Sequence, residues 1–230
     1  MKKADYKILS VGGSIIIPKT GFDISFLKRF RELILKEAQQ GQKLILVIGG
    51  GATCRSYQDA ARQVITMTDA DLDWLGIHTT IYNAQFVRML FKGVAHDEIV
   101  TNPTKKVKTQ KKIIIAAGWK PGCSTDKDAV LLAKAYGARE VINLSNIDYV
   151  YDSDPKLNPK AKRIGRISWK EFRKIVGNKW SPGANVPFDP IAAKEAERLG
   201  LVVKFVHGTH LNAVRSVLHE KHFSLGTVIH

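Results

Sequence analysis

Three consecutive glycines, Gly49-Gly50-Gly51, close the apolar run Leu44-Ile45-Leu46-Val47-Ile48, and Arg55 follows four residues after the last of them. Backbone without side chains lets N–H groups approach an anion more closely than any bulkier residue allows. The Arg55 guanidinium adds a planar cationic fork suited to phosphate or carboxylate. Alone, the stretch fits equally well a tight strand-to-helix turn with an exposed arginine. It has company: Lys7-Ile8-Leu9-Ser10-Val11 runs into Gly12-Gly13-Ser14, and Ile113-Ile114-Ile115-Ala116-Ala117 runs into Gly118. Three such strands in one parallel sheet place three glycine-lined loops along its carboxyl edge, where open α/β proteins bind ligands. The repetition favours an anion site at that edge.

Other residues of chemical interest follow the third loop. Ser124, Thr125 and Asp126 come after a Pro121-Gly122 turn and are good helix N-cap types. A helix beginning there turns its amino end to the same edge and favours an anion, although a purely structural cap would also explain Asp126. The run Glu140 to Tyr151 is β-rich and gathers Asn146 and Asp148 towards its end, before the turn-prone Asp152 to Lys160. That is a position for nucleotide contacts or an ordinary solvent loop. Cys54 and Cys123 each lie beside one of these loops and lack the spacing of a metal site, so both read as reduced thiols. His207 and His210 bracket a Gly-Thr turn and read as surface residues rather than ligands. The chain contains no Gly-x-x-x-x-Gly-Lys-Ser/Thr, no helix-opening Gly-x-Gly-x-x-Gly and no Gly-x-Ser-x-Gly, which argues against a P-loop enzyme, a dinucleotide-binding fold and a serine hydrolase.

The elements that must position these groups are readable from periodicity. Phe26, Phe30, Leu33 and Ile34 have helical spacing, with Asp23 or Ser25 as cap and Gly41 as stop. A second helix is predicted over Cys54 to Val64 and a third from Leu72 through Leu90, whose face at Ile81, Phe86 and Leu90 covers the sheet or meets another subunit. Glu98 to Val100 is a weak strand. Helices are expected at Trp169 to Val176, Ile191 to Leu199 and Leu211 to His219, with strands at Leu201 to Val206 and Leu225 to Ile229. Strands alternating with helices predict a three-layer α/β/α sandwich on a mostly parallel sheet. With 230 residues and 44% hydrophobic content the chain can bury a sizeable core. No apolar run is long enough to span a membrane and the Met1 to Tyr6 start lacks the core of a secretory signal, so a cytoplasmic location is expected. A formal charge of +15 attracts polyanions. The lysines are dispersed, however, and the cluster Lys105, Lys106, Lys108, Lys111 and Lys112 reads as a solvated loop or strand margin, with no nucleic-acid signature beside it.

Taken in order, Val11-Gly12-Gly13-Ser14, Ile48-Gly49-Gly50-Gly51 with Arg55, Asp73-Trp74-Leu75-Gly76 with Asn83, Gly118 through Pro121-Gly122 to Ser124-Thr125-Asp126, Asn146-Ile147-Asp148 through Tyr151 to Asp154-Pro155, and Phe188-Asp189-Pro190 resemble the amino-acid kinase superfamily. Within it the chain is most similar to the archaeal-type UMP kinases. The resemblance implies ATP- and Mg2+-dependent conversion of UMP to UDP in pyrimidine nucleotide biosynthesis. It also implies a single domain over 1–230, with an acceptor part at about 1–120 and an ATP part at about 121–230, assembled as a hexamer. By it, Gly12, Gly13 and Gly49 to Gly51 cradle the phosphates, Arg55 holds the UMP phosphate, and Asp73 and Gly76 lie at the ribose. Ser124 and Thr125 lie near the acceptor, Asp126 near the reacting centre, and Asp189 beside the phosphates or their magnesium, with no metal ligand assigned. Ser14, Asn146, Asp148, Tyr151, Asp154 and Lys156 form the ATP side. Two positions depart from the superfamily pattern. Ser10 stands where many members place Lys, although the archaeal-type UMP kinases also lack it, which leaves Lys120, Lys127 and Lys160 as candidates for the missing cation. Tyr149 replaces a usual Gly, where a ring could narrow the nucleotide pocket or alter purine preference. Residue types alone leave open another small phosphate or carboxylate acceptor, an inactive nucleotide binder, or a nucleic-acid-binding protein.

Overall fold

A computed structural model describes residues 6–155, 157–179, 186–219 and 223–230. Strands β1 (Tyr6–Val11), β2 (Lys43–Ile48), β3 (Ile113–Ala116), β4 (Glu140–Ser145), β8 (Val202–His207), β9 (Thr227–Ile229) and β7 (Arg166–Ile167) form one seven-stranded sheet in the order β3-β2-β1-β4-β8-β9-β7. The first five run parallel, and β9 turns back antiparallel to β8. A separate antiparallel ribbon joins β5 (Val150–Tyr151) to β6 (Arg163–Ile164). Helices α1 (Gly13–Ile16), α2 (Ile24–Gln39), α3 (Gly51–Val64), α4 (Asp69–Leu90), α5 (Thr125–Tyr136), α6 (Trp169–Val176), α7 (Pro190–Arg198) and α8 (Leu211–His219) complete the layers.

The inner strands are apolar on both faces because both faces are covered. Along β2, Leu44, Leu46 and Ile48 join one core with α2, α4 and α8, while Ile45 and Val47 join the other with α5, α6 and α7. The same alternation divides Ile113 and Ile115 from Ile114 and Ala116 on β3, as the two-residue period of a strand requires. The sandwich expected from the alternating pattern is therefore present.

Several boundaries differ from the sequence expectation, each for a local reason. The second helix starts at Gly51 instead of Cys54, with Gly51 at φ 66°, so the last glycine of the loop is already the first turn of α3. The third starts at Asp69 because Thr68 and Asp71 form a reciprocal capping box. Glu98 to Val100 is not a strand, and only single bridges at Ala95 and Val100 touch β3. The β-rich run from Glu140 breaks at Asn146, where the chain leaves the sheet before entering the ribbon. Short α1, β6 and β7 were below the resolution of periodicity.

Part of the excess positive charge is structural. Lys7 Nζ donates to the Leu218 carbonyl, Arg31 Nε to Leu90 at 2.5 Å and Lys112 Nζ to Ala38 at 3.1 Å. Each base satisfies a carbonyl at or near the end of a helix, where cations are favoured by the helix dipole. Within the lysine cluster, Lys111 Nζ also donates to Gly93 at 2.7 Å and Lys106 lies 5.6 Å from the Tyr136 ring centroid.

Candidate active site

The carboxyl ends of β1, β2, β3 and β4 open into one cleft of about 260 Å³. Its floor is two glycine turns pressed backbone to backbone. A Cβ on Gly13 would lie 2.1 Å from the Gly51 nitrogen and 2.5 Å from the Gly49 carbonyl oxygen, so no side chain fits between the turns. Gly12 N–H donates to Leu144 at 2.9 Å and Gly49 N–H to Val11 at 3.0 Å, extending the sheet ladder into both turns. Fully buried Asn83 clamps the second turn from α4, its Nδ2 donating to the Gly49 and Gly50 carbonyls at 2.9 and 3.0 Å. Asn83 thus positions the loop and does not line the cleft.

The helices α3 and α5 begin at this cleft, with Gly50 and Gly51, and Ser124 and Thr125, among its lining. Such termini present unpaired N–H groups to an anion. Arg55, exposed on α3, is the one Lys or Arg lining the cleft among the described residues. On the adjoining helix α4, buried Asp73 accepts from Gly122 N–H at 2.7 Å and so ties the 118–124 loop to that helix. Thr80 does the same two helical turns on, accepting from Gly118 N–H at 2.8 Å.

Two carboxylates meet at the start of α5. Asp126 Oδ1 accepts from Ser10 Oγ at 2.9 Å and Asn143 Nδ2 at 3.0 Å, and its Oδ2 accepts from Asp189 N–H at 3.3 Å. Asp189 caps α7 through Ile191 N–H at 2.6 Å and accepts from the Ser124 hydroxyl, which itself caps α5 by accepting from Lys127 N–H at 3.2 Å. Desolvation, then the neighbouring Asp189 carboxylate, push the Asp126 pKa up to about 7, and the bonds from Ser10, Asp189 N–H and Asn143 oppose that rise without cancelling it. Asp128, two residues further along α5, is pushed up to about 8, chiefly by burial, against the Trp119 N–H bond at 3.2 Å. Among the described residues, neither Asp126 nor Asp189 takes part in an ion pair. The cleft therefore brings together one cation, the amino ends of two helices and carboxyls that have no ion-pair partner among the described residues.

Of the residues singled out in the sequence, Gly12, Gly13, Ser14, Gly49, Gly50, Gly51, Arg55, Asp73, Gly76, Ser124, Thr125, Asp126, Asn146 and Asp189 line this one cleft. Asp148, Tyr151 and Asp154 do not. Asp148 is exposed on the turn after β4, Tyr151 is in the β5–β6 ribbon, and Asp154 accepts through its carbonyl from Leu157 and Asn158 N–H in an exposed turn. Lys156 lies outside the described residues. Lys120 lies over the Trp119 ring at 4.1 Å, and neither it, Lys127 nor Lys160 lines the cleft. The Tyr149 ring is held away from the cleft lining by Arg163 at 5.3 Å and by a bond from its hydroxyl to Ser224 at 3.2 Å. Burial pushes both the Cys54 and Cys123 thiols up, which keeps them protonated although both line the cleft. Sequence reasoning missed Ser10 and Asn143 as a pair and Thr80 and Gln58 as lining. The signal for the first pair was present: a polar residue inside each of two apolar strands, which sheet register sets side by side.

Comparison with known proteins gives the family and the fold. The model of the amino acid kinase family matches residues 5–207. The uridylate kinase of Methanocorpusculum labreanum is 32% identical over 226 residues, covering 96% of this chain and 94% of that one. That of Pyrococcus abyssi is 31% identical over 218 residues, covering 94% and 96%. Among solved structures, the uridylate kinase from Archaeoglobus fulgidus superposes with a TM-score of 0.79 at 29% identity, covering 98% of this chain and all of that one.

Proposed function

This chain belongs to the amino acid kinase family, and from that premise we propose that it transfers the γ-phosphoryl group of ATP to UMP, giving UDP and ADP, in pyrimidine nucleotide biosynthesis. The observation that carries the reading is that two packed glycine turns, Arg55 and the paired carboxyls of Asp126 and Asp189 all line one volume. Phosphoryl transfer asks the protein mainly to align two phosphates and to neutralise spreading negative charge. In this reading Arg55 and the α3 amino end bind the UMP phosphate, Asp73 and Gly76 meet the ribose, and the Gly12-Gly13-Ser14 turn meets the transferred group. Asn146, Asp148, Tyr151, Asp154 and Lys156 belong to the ATP side, and the acceptor and donor parts divide at about residue 120.

A magnesium ion fits the donor set. Hard carboxylate oxygens that lack an ion-pair partner, beside a phosphate cradle, suit a cation that takes one or two carboxylates and otherwise phosphate oxygens. Asp126 and Asp189 would hold it, and it would supply charge neutralisation on the phosphates. Ser10 and Asn143 orient the Asp126 carboxyl towards the cleft.

The chain is further proposed to assemble as a homo-oligomer, the hexamer of the resemblance. Ile81, Phe86 and Leu90 pack partly into the core, so the surface left for a partner subunit is Trp74, Tyr82 and Met89 on α4, at 47, 75 and 57% exposure. The activity is tested by a coupled ADP-release assay across UMP, CMP, dUMP, AMP, GMP and isopentenyl phosphate. Saturable turnover with UMP and its loss with dUMP support the reading and the Asp73 assignment, whereas activity confined to a non-nucleotide acceptor overturns it.

A further inference from the structure

Outside the cleft, three metal-ligating side chains converge at the carboxyl end of β8. His207 is the last residue of that strand, and its register partner on β4 is Ser145. The chain then turns tightly: Gly208 N–H donates to Ser145 at 2.8 Å and His210 N–H to His207 at 3.0 Å. A Cβ on Gly208 would lie 3.0 Å from an Ile15 side-chain carbon, so the turn is seated against the core. It stacks the two imidazoles, with ring centroids 4.3 Å apart and planes 20° apart. Asp148 arrives from the turn after β4, and its Oδ1 lies 3.3 Å from His210 Nδ1. His207 Nδ1 is 2.9 Å from Thr209 Oγ1, which fixes the ring.

One ligand atom from each of Asp148, His207 and His210 falls within 4.8 Å of the other two. An ion bound at about 2.0–2.2 Å from N and O ligands separates them by roughly 3.4 Å in tetrahedral geometry. Rotation of exposed His210 and Asp148 about their side-chain bonds closes that difference, while His207 stays on its rigid strand end. Such a Thr-braced imidazole next to a carboxylate has the donor composition of a transition-metal site.

We propose that Asp148, His207 and His210 bind one divalent ion of the zinc, nickel or copper class, at a site distinct from any magnesium that accompanies a nucleotide in the cleft. Two imidazoles select borderline ions over magnesium, which prefers oxygen ligands. Three protein ligands leave at least one coordination position open to water or an anion. Asp148 is two residues from Asn146, a cleft-lining residue, so the ion would pin the segment that leaves β4. The inference rests on side chains outside the cleft lining; Asp148, placed above on the ATP side, serves here as a ligand, and the test reads metal binding in the absence of nucleotide.

The test is titration of the full chain with Zn2+ by calorimetry and with Co2+ by visible absorption. One equivalent is expected, with an N/O-type Co2+ spectrum, no competition from excess Mg2+, and affinity lowered on the order of tenfold or more in each of Asp148→Asn, His207→Ala and His210→Ala. All three side chains are at the surface or half-buried, and unchanged far-UV circular dichroism certifies each variant's fold. His78→Ala, at an exposed position of α4, serves as the control and leaves binding intact. Undiminished binding in the three variants, a thiolate-to-cobalt charge-transfer band that places the ion at Cys54 or Cys123, or absence of stoichiometric binding overturns the proposal.

Discussion

Substituting Gly13 by Ala tests whether the two glycine turns are one rigid floor. Gly13 does not have a positive φ, so the backbone tolerates alanine and the effect is steric alone. The new Cβ would sit 2.1 Å from the Gly51 nitrogen, against ordinary contact beginning at 3.4 Å, so the turns must part by about 1.3 Å. Neither partner atom belongs to a side chain that could rotate away. Overpacking of this kind costs about 1–3 kcal/mol, which for a chain of this length lowers Tm by roughly 2–12 °C. A displacement of about 1 Å in a positioning element costs on the order of 100-fold in rate. Gly12→Ala is the matched control, because its Cβ meets only the Leu144 oxygen at 3.0 Å and an Ile15 carbon at 3.8 Å. Thermal unfolding by circular dichroism and ADP release measure both effects. Wild-type Tm and turnover in Gly13→Ala would refute the idea that the packed turns set the phosphate positions.

Four further outcomes are expected. Gly76→Ala places a methyl 3.4 Å from Cys54 Sγ, an ordinary contact inside helix α4; it should raise stability by roughly 0.5–1 kcal/mol while raising acceptor KM, and a lowered Tm would contradict this. Arg55→Ala should raise acceptor KM strongly and kcat less, with Tm unchanged because the side chain is exposed; an unchanged KM places Arg55 outside the acceptor site. Because the folded pKa of Asp126 is raised from 3.8 to about 7, its contribution to stability falls as pH rises from about 4 to about 7, and kcat/KM should rise through pH 7 as the carboxylate forms; a profile that Asp126→Asn leaves unaltered would assign the ionisation elsewhere. Tyr82→Glu, at the centre of the exposed α4 stripe, should shift sedimentation to smaller species, and a wild-type protein that sediments as a monomer would remove the proposed assembly.

The sequence made the architecture legible where one chemical signal repeated. Apolar runs ending in glycine identified β1, β2 and β3 and placed their loops at one edge, because a strand buried on both faces has no alternative composition. Pairwise contacts across long separations were not legible. Ser10 reaches Asp126 across 116 residues and Ser124 reaches Asp189 across 65, and no local pattern encodes such meetings. The polar breaks at Ser10 and Asn143 were visible, yet only strand order makes them neighbours. Likewise, Asn83 reads as one more polar residue on a helix until its amide is found on the Gly49 and Gly50 carbonyls. The partners of Tyr149 were equally illegible: its ring lies against Arg163 and its hydroxyl bonds the Ser224 carbonyl, contacts that no local pattern encodes.

The surplus of positive charge shows how composition and structure can point to different chemistry. A net +15 suggests a polyanion partner, but among the described residues Arg55 alone brings a Lys or Arg to the cleft, and several other bases terminate helices. The environment that raises the Asp126 pKa is therefore burial first and the Asp189 carboxylate second, opposed by hydrogen bonds rather than by the protein's own cations. A carboxyl with a pKa near 7 is held between two states, and an arriving cation would tip it to the ionised form. Loading the cleft with magnesium and nucleotide should consequently release about half a proton per site at pH 7, measurable as a buffer-dependent heat in calorimetry. Asp126→Asn should abolish that release while Asp97→Asn, exposed and outside the cleft, leaves it in place, and proton release that survives the first change would show that the cleft's charge is balanced by other groups.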